Sequence, residues 1–436
     1  MYTMSSKIKS FSLILIVLGA IGLAYSFIDA PSSVEEVKEM LHSDGASHEG
    51  ESVAMEANSS SNSDAHGEDE HAEHIYHQLQ NKPWAAIYVP ALFLFLISLG
   101  VFVFYALQNA SQSGWSPVLF RVMEGISSYL VPGGIIVYLL LILSSLHLNH
   151  LFVWMDPEVV AHDEIIQNKV AYLNTPFFLI RAFIYLAGWI LFSKLIIKNS
   201  RKMDEGFDLR LHKRNFKLSA GFLVFFIVTE SMMSWDWIMS IDTHWFSTLF
   251  GWFVLASILV SAVTTIAIVT IYLKGKGYLE HVNNSHIHDL GKFMMGFSIF
   301  WAYLWFSQFL LIWYSNIPEE VTYYAQRLED YPVLFFGTVI LNWVLPMLIL
   351  INSDFKRINW IIVFAGVIIL LGHYLNFFVM IMPGTVGESW TIGIPEISSI
   401  LLVLGVFIFT VFKALAKAPL TIQHGAFLEE SKHFHY

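Results

Sequence analysis

Ten apolar runs, most of about 20 residues, recur along the chain, near 8–28, 84–107, 126–147, 175–197, 218–241, 246–273, 292–314, 332–352, 358–381 and 396–413. A helix rises about 1.5 Å per residue, so roughly 20 residues cross a hydrocarbon core, whereas a barrel strand needs only about 10. The pattern predicts an all-α polytopic membrane protein with ten transmembrane helices. The first run follows Lys7 and Lys9 and has Ala24 and Ala30 near its end, which also fits a secretory signal peptide. A retained membrane helix over 1–28 is the expectation.

Charge fixes the expected orientation. Alternate inter-run segments, with both ends of the chain, hold 18 of the 24 Lys and Arg residues, including seven between Lys198 and Lys217. The other segments hold only Lys38, Lys82, Lys169 and Arg327, while Arg181 and Lys194 lie inside the fourth run. The positive-inside rule therefore places both termini in the cytoplasm. The net charge of −11 arises in one segment, because the stretch from Asp29 to Lys82 has 13 acids and two lysines. That Ser-, Glu- and Asp-rich stretch also carries His42, His48, His66, His71, His74 and His77. It reads as a solvated, poorly ordered outer loop, with a metal-binding tract as the alternative.

The 436 residues are 56% hydrophobic and include no cysteine. That excludes thiolate-bound zinc, iron–sulfur clusters held by this chain, covalently attached c-type haem and disulfides. The histidines give no matched pair for haem b, and no metal site is expected. Runs two to five and six to nine resemble each other. T-P-F-F at 175–178 and Y-P-V-L-F-F at 331–336 open the fourth and eighth runs, which carry Gly188–Trp189 and Asn342–Trp343 and exit through Asn-Ser and basic residues. The expected organisation is a first helix at 1–28, an acidic periplasmic loop at 29–82, four-helix bundles at 84–241 and 246–381, and a last helix with a cytoplasmic tail at 396–436. Such a repeat keeps its orientation and is parallel.

Ionisable residues gather toward the outer end of the runs. Glu230 lies 13 residues beyond Lys217, about 20 Å from the inner face, and Asp236 is about 9 Å further out. His147 ends the third run, Arg181 stands near the outer start of the fourth, and His373 lies well out along the ninth. Acids within a bilayer persist where they face a protein interior or a water path. Candidates for a proton path or ligand pocket are Glu230, Asp236, His147, Arg181 and His373. Arg181 is expected to pair with Glu230, and Asp236 to sit at the interface among tryptophans. If one helix continues through them, at 100° per residue Glu230, Asp236 and Asp242 point about 120° apart and cannot line one groove. Asp242 and His244 read as a turn that caps the next helix.

Three stretches carry a family resemblance: L-N-T-P-F-F-L-I-R-A (173–182), S-W-D-W-I-M-S-I-D-T-H-W-F-S-T (234–248) and the run from His288 to Glu320 that includes F-W-A-Y-L-W-F-S-Q-F-L-L-I-W-Y-S-N-I-P-E-E. They resemble the ActF-type membrane subunit of alternative complex III, a bacterial quinol:electron-acceptor oxidoreductase, whose large membrane subunits are similar to the NrfD-like polysulfide reductase membrane subunit. The resemblance spans 84–413. It implies two four-helix bundles plus flanking helices in a bacterial inner membrane. It also implies a sister NrfD-like subunit, an iron–sulfur subunit, cytochrome c subunits and a terminal oxidase as partners. Menaquinol or another quinone is the implied ligand, with haems and clusters in the partners and the better-supported quinol site in the sister subunit. The competing reading is a secondary transporter with an outward-facing polar site. Nothing points to nucleic acid.

Overall fold

The computed structural model describes residues 2–40 and 63–435. Among these, ten helices are long and apolar enough to cross a membrane: Ser6–Ile28, Ile75–Ala110, Pro117–Ser145, Thr175–Glu205, Leu209–Ile241, Phe250–Gly275, Asn284–Ser315, Pro332–Leu350, Asn359–Val386 and Ile394–Leu415. They are called the first to tenth spans below. No strand occurs among the described residues, so the all-α polytopic fold is the one the chain adopts. Short polar side chains set several helix starts. Asn174 accepts from the Phe177 N–H at 3.1 Å, and Asp208 accepts from the Arg210 N–H at 2.7 Å.

Loops alternate between two faces. On one, the Tyr2 ring meets Tyr278 edge-on at 5.1 Å, and the Val118 N–H donates to the Ser431 hydroxyl at 3.2 Å. Both ends of the chain therefore share this terminal face. On the opposite face, Lys82 donates to the Thr391 hydroxyl at 2.6 Å, and Asn81 and His150 exchange hydrogen bonds of 2.9 and 3.1 Å.

The second span packs on the third and fifth, and the fourth on the third and fifth. The sixth packs on the seventh and ninth, and the eighth on the same two neighbours. The two groups thus have the same ring of contacts. Their leading helices, the second and sixth spans, meet at the centre, with 94% and 89% of their apolar windows enclosed. Gly100 permits that approach, because a Cβ there would lie 2.6 Å from the Ile258 side chain. The first span lies along the tenth through small residues. A Cβ on Gly19 would stand 2.3 Å from the Leu402 nitrogen, and one on Gly405 would stand 2.9 Å from the Ile16 nitrogen. In lipid, where apolar burial gives helices little reason to associate, such backbone proximity supplies the attraction.

Three features depart from the sequence expectations. The stretch 29–82 is not wholly irregular. Residues 34–40 are helical, and the second span belongs to a 48-residue helix, Ser63–Ala110, about 72 Å long. From Ala72 to Lys82 this helix contains no Gly or Pro, and Asn81 ties its membrane-proximal end to His150. His42 and His48 lie outside the described residues, as do the side chains of His66, His71 and His74. The third span is interrupted between Phe120–Ser127 and Leu130–Ser145. The eighth contains a π-helical turn, Ile340–Val344, where the Leu345 N–H reaches back to the Ile340 carbonyl. Pro346 follows and lacks an N–H, so a regular helix would leave a carbonyl unanswered here.

The glycine contact is testable by thermal unfolding of the full chain in detergent. Gly19→Leu should destabilise by about 1–3 kcal/mol through overpacking. Gly296→Ala, where nothing lies within 4 Å of the added carbon, should leave the transition unchanged or raise it. Equal transitions for both variants would contradict the close packing.

Candidate functional site

The last turn of the fifth span supplies the anchor of the face opposite the termini. Asp236 is fully buried and accepts two hydrogen bonds from Arg181, from Nε at 2.9 Å and Nη2 at 2.8 Å. The Tyr185 hydroxyl donates to the same carboxylate at 3.1 Å. Arg181 also donates to the Tyr172 carbonyl at 3.0 Å, and its guanidinium lies over the rings of Tyr172 and Phe177 at 3.9 and 4.2 Å. A planar fork with aromatic faces on it suits arginine and not lysine. This corrects two expectations. Arg181 pairs with Asp236, not Glu230, because antiparallel neighbours bring the start of the fourth span level with the end of the fifth. Asp236 is an interior ion, not an interfacial one.

Six residues on, the second acid of the stretch turns to the other bundle. An Asp242 oxygen lies 3.8 Å from Arg327 Nη1. Arg327 is 1% exposed and also donates to the carbonyls of Tyr323 at 2.7 Å and Val379 at 3.2 Å. The Tyr323 ring lies 3.3 Å from that guanidinium and stacks on Trp245 at 3.8 Å. The expected capping role fails. The sixth span's helix begins at Phe250 without a side-chain cap, well past Asp242 and His244. The turn itself is present, with the Trp245 N–H donating to the Asp242 carbonyl at 3.1 Å. His244 instead meets the Asp163 carboxylate at 2.5 Å. The Ile166 N–H and then His244 hold the Asp163 carboxyl below its ordinary range.

Beside the Arg181–Asp236 pair lies a cavity of 350 Å³, within the range of small-molecule sites of roughly 300–1,000 Å³. Tyr172, Trp235, Ser240 and Trp245 line it, with Lys169 and Phe246 at the same opening. The indole N–H groups of Trp235 and Trp245 are buried and have no hydrogen-bond partner. Burial, and then the Asp236 carboxylate, raise the Tyr172 phenol above its ordinary value. Burial lowers Lys169, and Asp163 and Asp242 oppose that shift. The Ser240 hydroxyl donates to the Asp236 carbonyl at 2.5 Å and so fixes the cavity wall to the ion pair.

The other candidates are dispersed. Glu230 is 1% exposed on the same helix as Asp236, deeper in the membrane, and neither carboxyl oxygen has a hydrogen-bond partner. His147 is exposed in a left-handed turn with φ 56°. His373 is fully buried in the second bundle with its ring edge-on to Trp301 at 5.4 Å, and both ring nitrogens lack partners. Asn342, on the π-turn, is buried with its amide unpartnered and sits against Gly372, where a Cβ would lie 2.3 Å from its oxygen.

Sequence reasoning missed Arg327, Asn342 and Glu124. Buried Glu124 pairs with Arg121 and accepts from the Ser200 and Tyr105 hydroxyls at 2.6 and 3.1 Å, near the terminal face. Arg121 also pairs with Asp204. The i,i+3 spacing of Arg121 and Glu124 was a usable signal. Among the described residues no group of three or more His, Cys, Asp or Glu is placed to hold a metal. Neither a protein-family model nor a curated protein sequence matches the chain.

Removing one partner of a buried ion pair strands the other, at about 3–5 kcal/mol. Asp236→Ala should therefore lower the unfolding transition sharply, and adding Arg181→Met should recover much of the loss. Additive losses would show that the pair is uncoupled. A separate expectation concerns pH. A depressed native carboxyl stabilises above its unfolded value, and that contribution is lost as pH falls through the native one. The Asp163–His244 link should thus open in acid, read as faster hydrogen exchange at Ile165 and Ile166. Exchange protection unchanged below the ordinary carboxylate range would contradict it.

Proposed function

We propose that the chain is an integral subunit of a quinol-oxidising respiratory complex in a bacterial inner membrane, and that the cavity beside Arg181–Asp236 receives the quinol head. The observation that supports this reading is the cavity itself. It is walled by flat aromatic rings, carries a lysine in its lining, and lies beside a buried charge pair. A planar ring bearing oxygens at opposite edges suits such walls. The rings of Tyr172, Trp235 and Trp245 would flank it, and Lys169 would favour its anionic form.

Oxidation of quinol to quinone releases two electrons and two protons. The chain has no cysteine, so the electrons leave to clusters or haems of partners, namely an iron–sulfur subunit and cytochrome c subunits. A sister NrfD-like subunit and a terminal oxidase complete the assembly that the sequence resemblance implies. With the termini in the cytoplasm, the cavity faces the periplasm, and protons released there contribute to the gradient. Glu230 is the acid that can exchange a proton beneath the cavity, because a buried carboxyl without a counter-charge is stable only as it holds or passes one. Arg181 and Asp236 hold the wall, and His373 belongs to the second bundle.

The test uses the assembled complex in vesicles. Trp235→Phe should raise KM for quinol several-fold with little change in kcat. Glu230→Gln should lower turnover or proton release with assembly intact. Wild-type kinetics in both variants would overturn the assignment. Substrate uptake by the chain alone would favour a transporter instead.

A further inference from the structure

A second concave site lies on the terminal face, between the third, fourth and tenth spans. It is a groove of 620 Å³ that continues into a neighbouring hollow of 270 Å³, and the two share Ser128, Ala414 and Lys417. The wall from the fourth span bears Lys194, Lys198, Arg201 and Lys202. The wall from the tenth bears Lys413 and Lys417. Ser127, Ser128 and Ser193 add hydroxyls between the walls.

The local acids do not neutralise the groove's lysines. Glu124 is engaged by Arg121 and by two hydroxyls, which leaves Glu205 as the other acid lining the groove. Among the described residues, Lys194, Lys198, Lys202 and Lys417 have no carboxylate within ion-pair distance. Arg201 is answered, because its Nε lies 3.7 Å from a Glu124 oxygen. The four lysines present uncompensated positive charge to the groove.

The surroundings say what kind of anion. Val131 lines the groove, and Ile135 and Leu139 continue its helical stripe toward the membrane interior, both exposed. Leu191, one turn deeper than Lys194, is exposed too. A basic, hydroxyl-bearing lip below open apolar walls matches an amphiphile and not a free ion. Basic residues on two facing walls match two phosphates.

We propose that this groove binds the headgroup of a dianionic phospholipid of the diphosphatidylglycerol type, one phosphate toward the fourth span and one toward the tenth, with acyl chains along Ile135, Leu139 and Leu191. The site is independent of the quinol cavity on the opposite face.

The full chain, delipidated and returned to phosphatidylcholine nanodiscs, is titrated with diphosphatidylglycerol, with phosphatidylglycerol and with inorganic pyrophosphate. Bound lipid is counted by native mass spectrometry, and the thermal transition is followed. Diphosphatidylglycerol should be retained and should raise the transition, with about tenfold or greater preference over phosphatidylglycerol, and pyrophosphate should not displace it. Lys198→Gln with Lys417→Gln should reduce its affinity about tenfold or more, at roughly one tenth to one third per charge. Lys213→Gln with Lys217→Gln, on the same face but not lining the groove, should bind as wild type. Equal retention by the two double variants would overturn the proposal, as would equal binding of both lipids. Displacement by pyrophosphate would make this a phosphate site and overturn the lipid assignment. Arg201→Lys keeps the charge and guards against a folding defect, and should retain the lipid.

Discussion

The membrane body depends on how two buried guanidinium groups are answered by one short segment. Arg181 and Arg327 each lie in a bundle, under aromatic rings, at the face opposite the termini. Asp236 answers the first and Asp242 approaches the second. The segment that carries those acids and then Trp245, stacked on Tyr323, crosses from the first bundle to the second. An unpaired guanidinium at that depth would demand water or distortion, so the pairing fixes the level at which the fifth span ends. It also gives the cavity beside it a stationary wall, which a ligand site needs more than it needs polar groups.

These buried polar side chains fall into two populations. Asp236, Arg181, Glu124 and Arg121 answer one another and do structural work near the two faces. Glu230, His373 and Asn342 are buried without answers. The unanswered groups are those whose burial calls for a chemical explanation, and Glu230 lies on the helix that supplies Trp235 to the cavity beside Arg181.

Most of the span boundaries were legible in the sequence, because apolar length and basic flanks report depth directly. The direction of approach was less legible. Helical phase applies to Glu230 and Asp236, which share the helix Leu209–Trp237, but not to Asp242 beyond its end, and it could not say which neighbour each would meet. Arg181 was therefore assigned to the wrong acid. Arg327 was counted with exposed loop cations, because its short helix, Pro318–Glu329, folds back onto the bundle and the guanidinium reaches the carbonyls of Val379 and Met380. Such pairings are properties of tertiary packing. The π-turn was hidden for a related reason: Pro346 marks a weak place in the helix, but not whether the helix kinks, breaks or widens there.

The π-turn at Ile340–Val344 behaves like an extra letter inserted in a line of text. It takes in one residue more than a regular turn would, so everything before it is read in a frame about 100° from everything after it. Both halves of the eighth span can then pack on the ninth, and the half after the turn packs on the seventh as well. Asn342 is the residue at the splice, turned inward against Gly372. Deleting a single residue there would leave a helix that is locally better formed and globally misaligned, with one half turned about 100° away from its packing face.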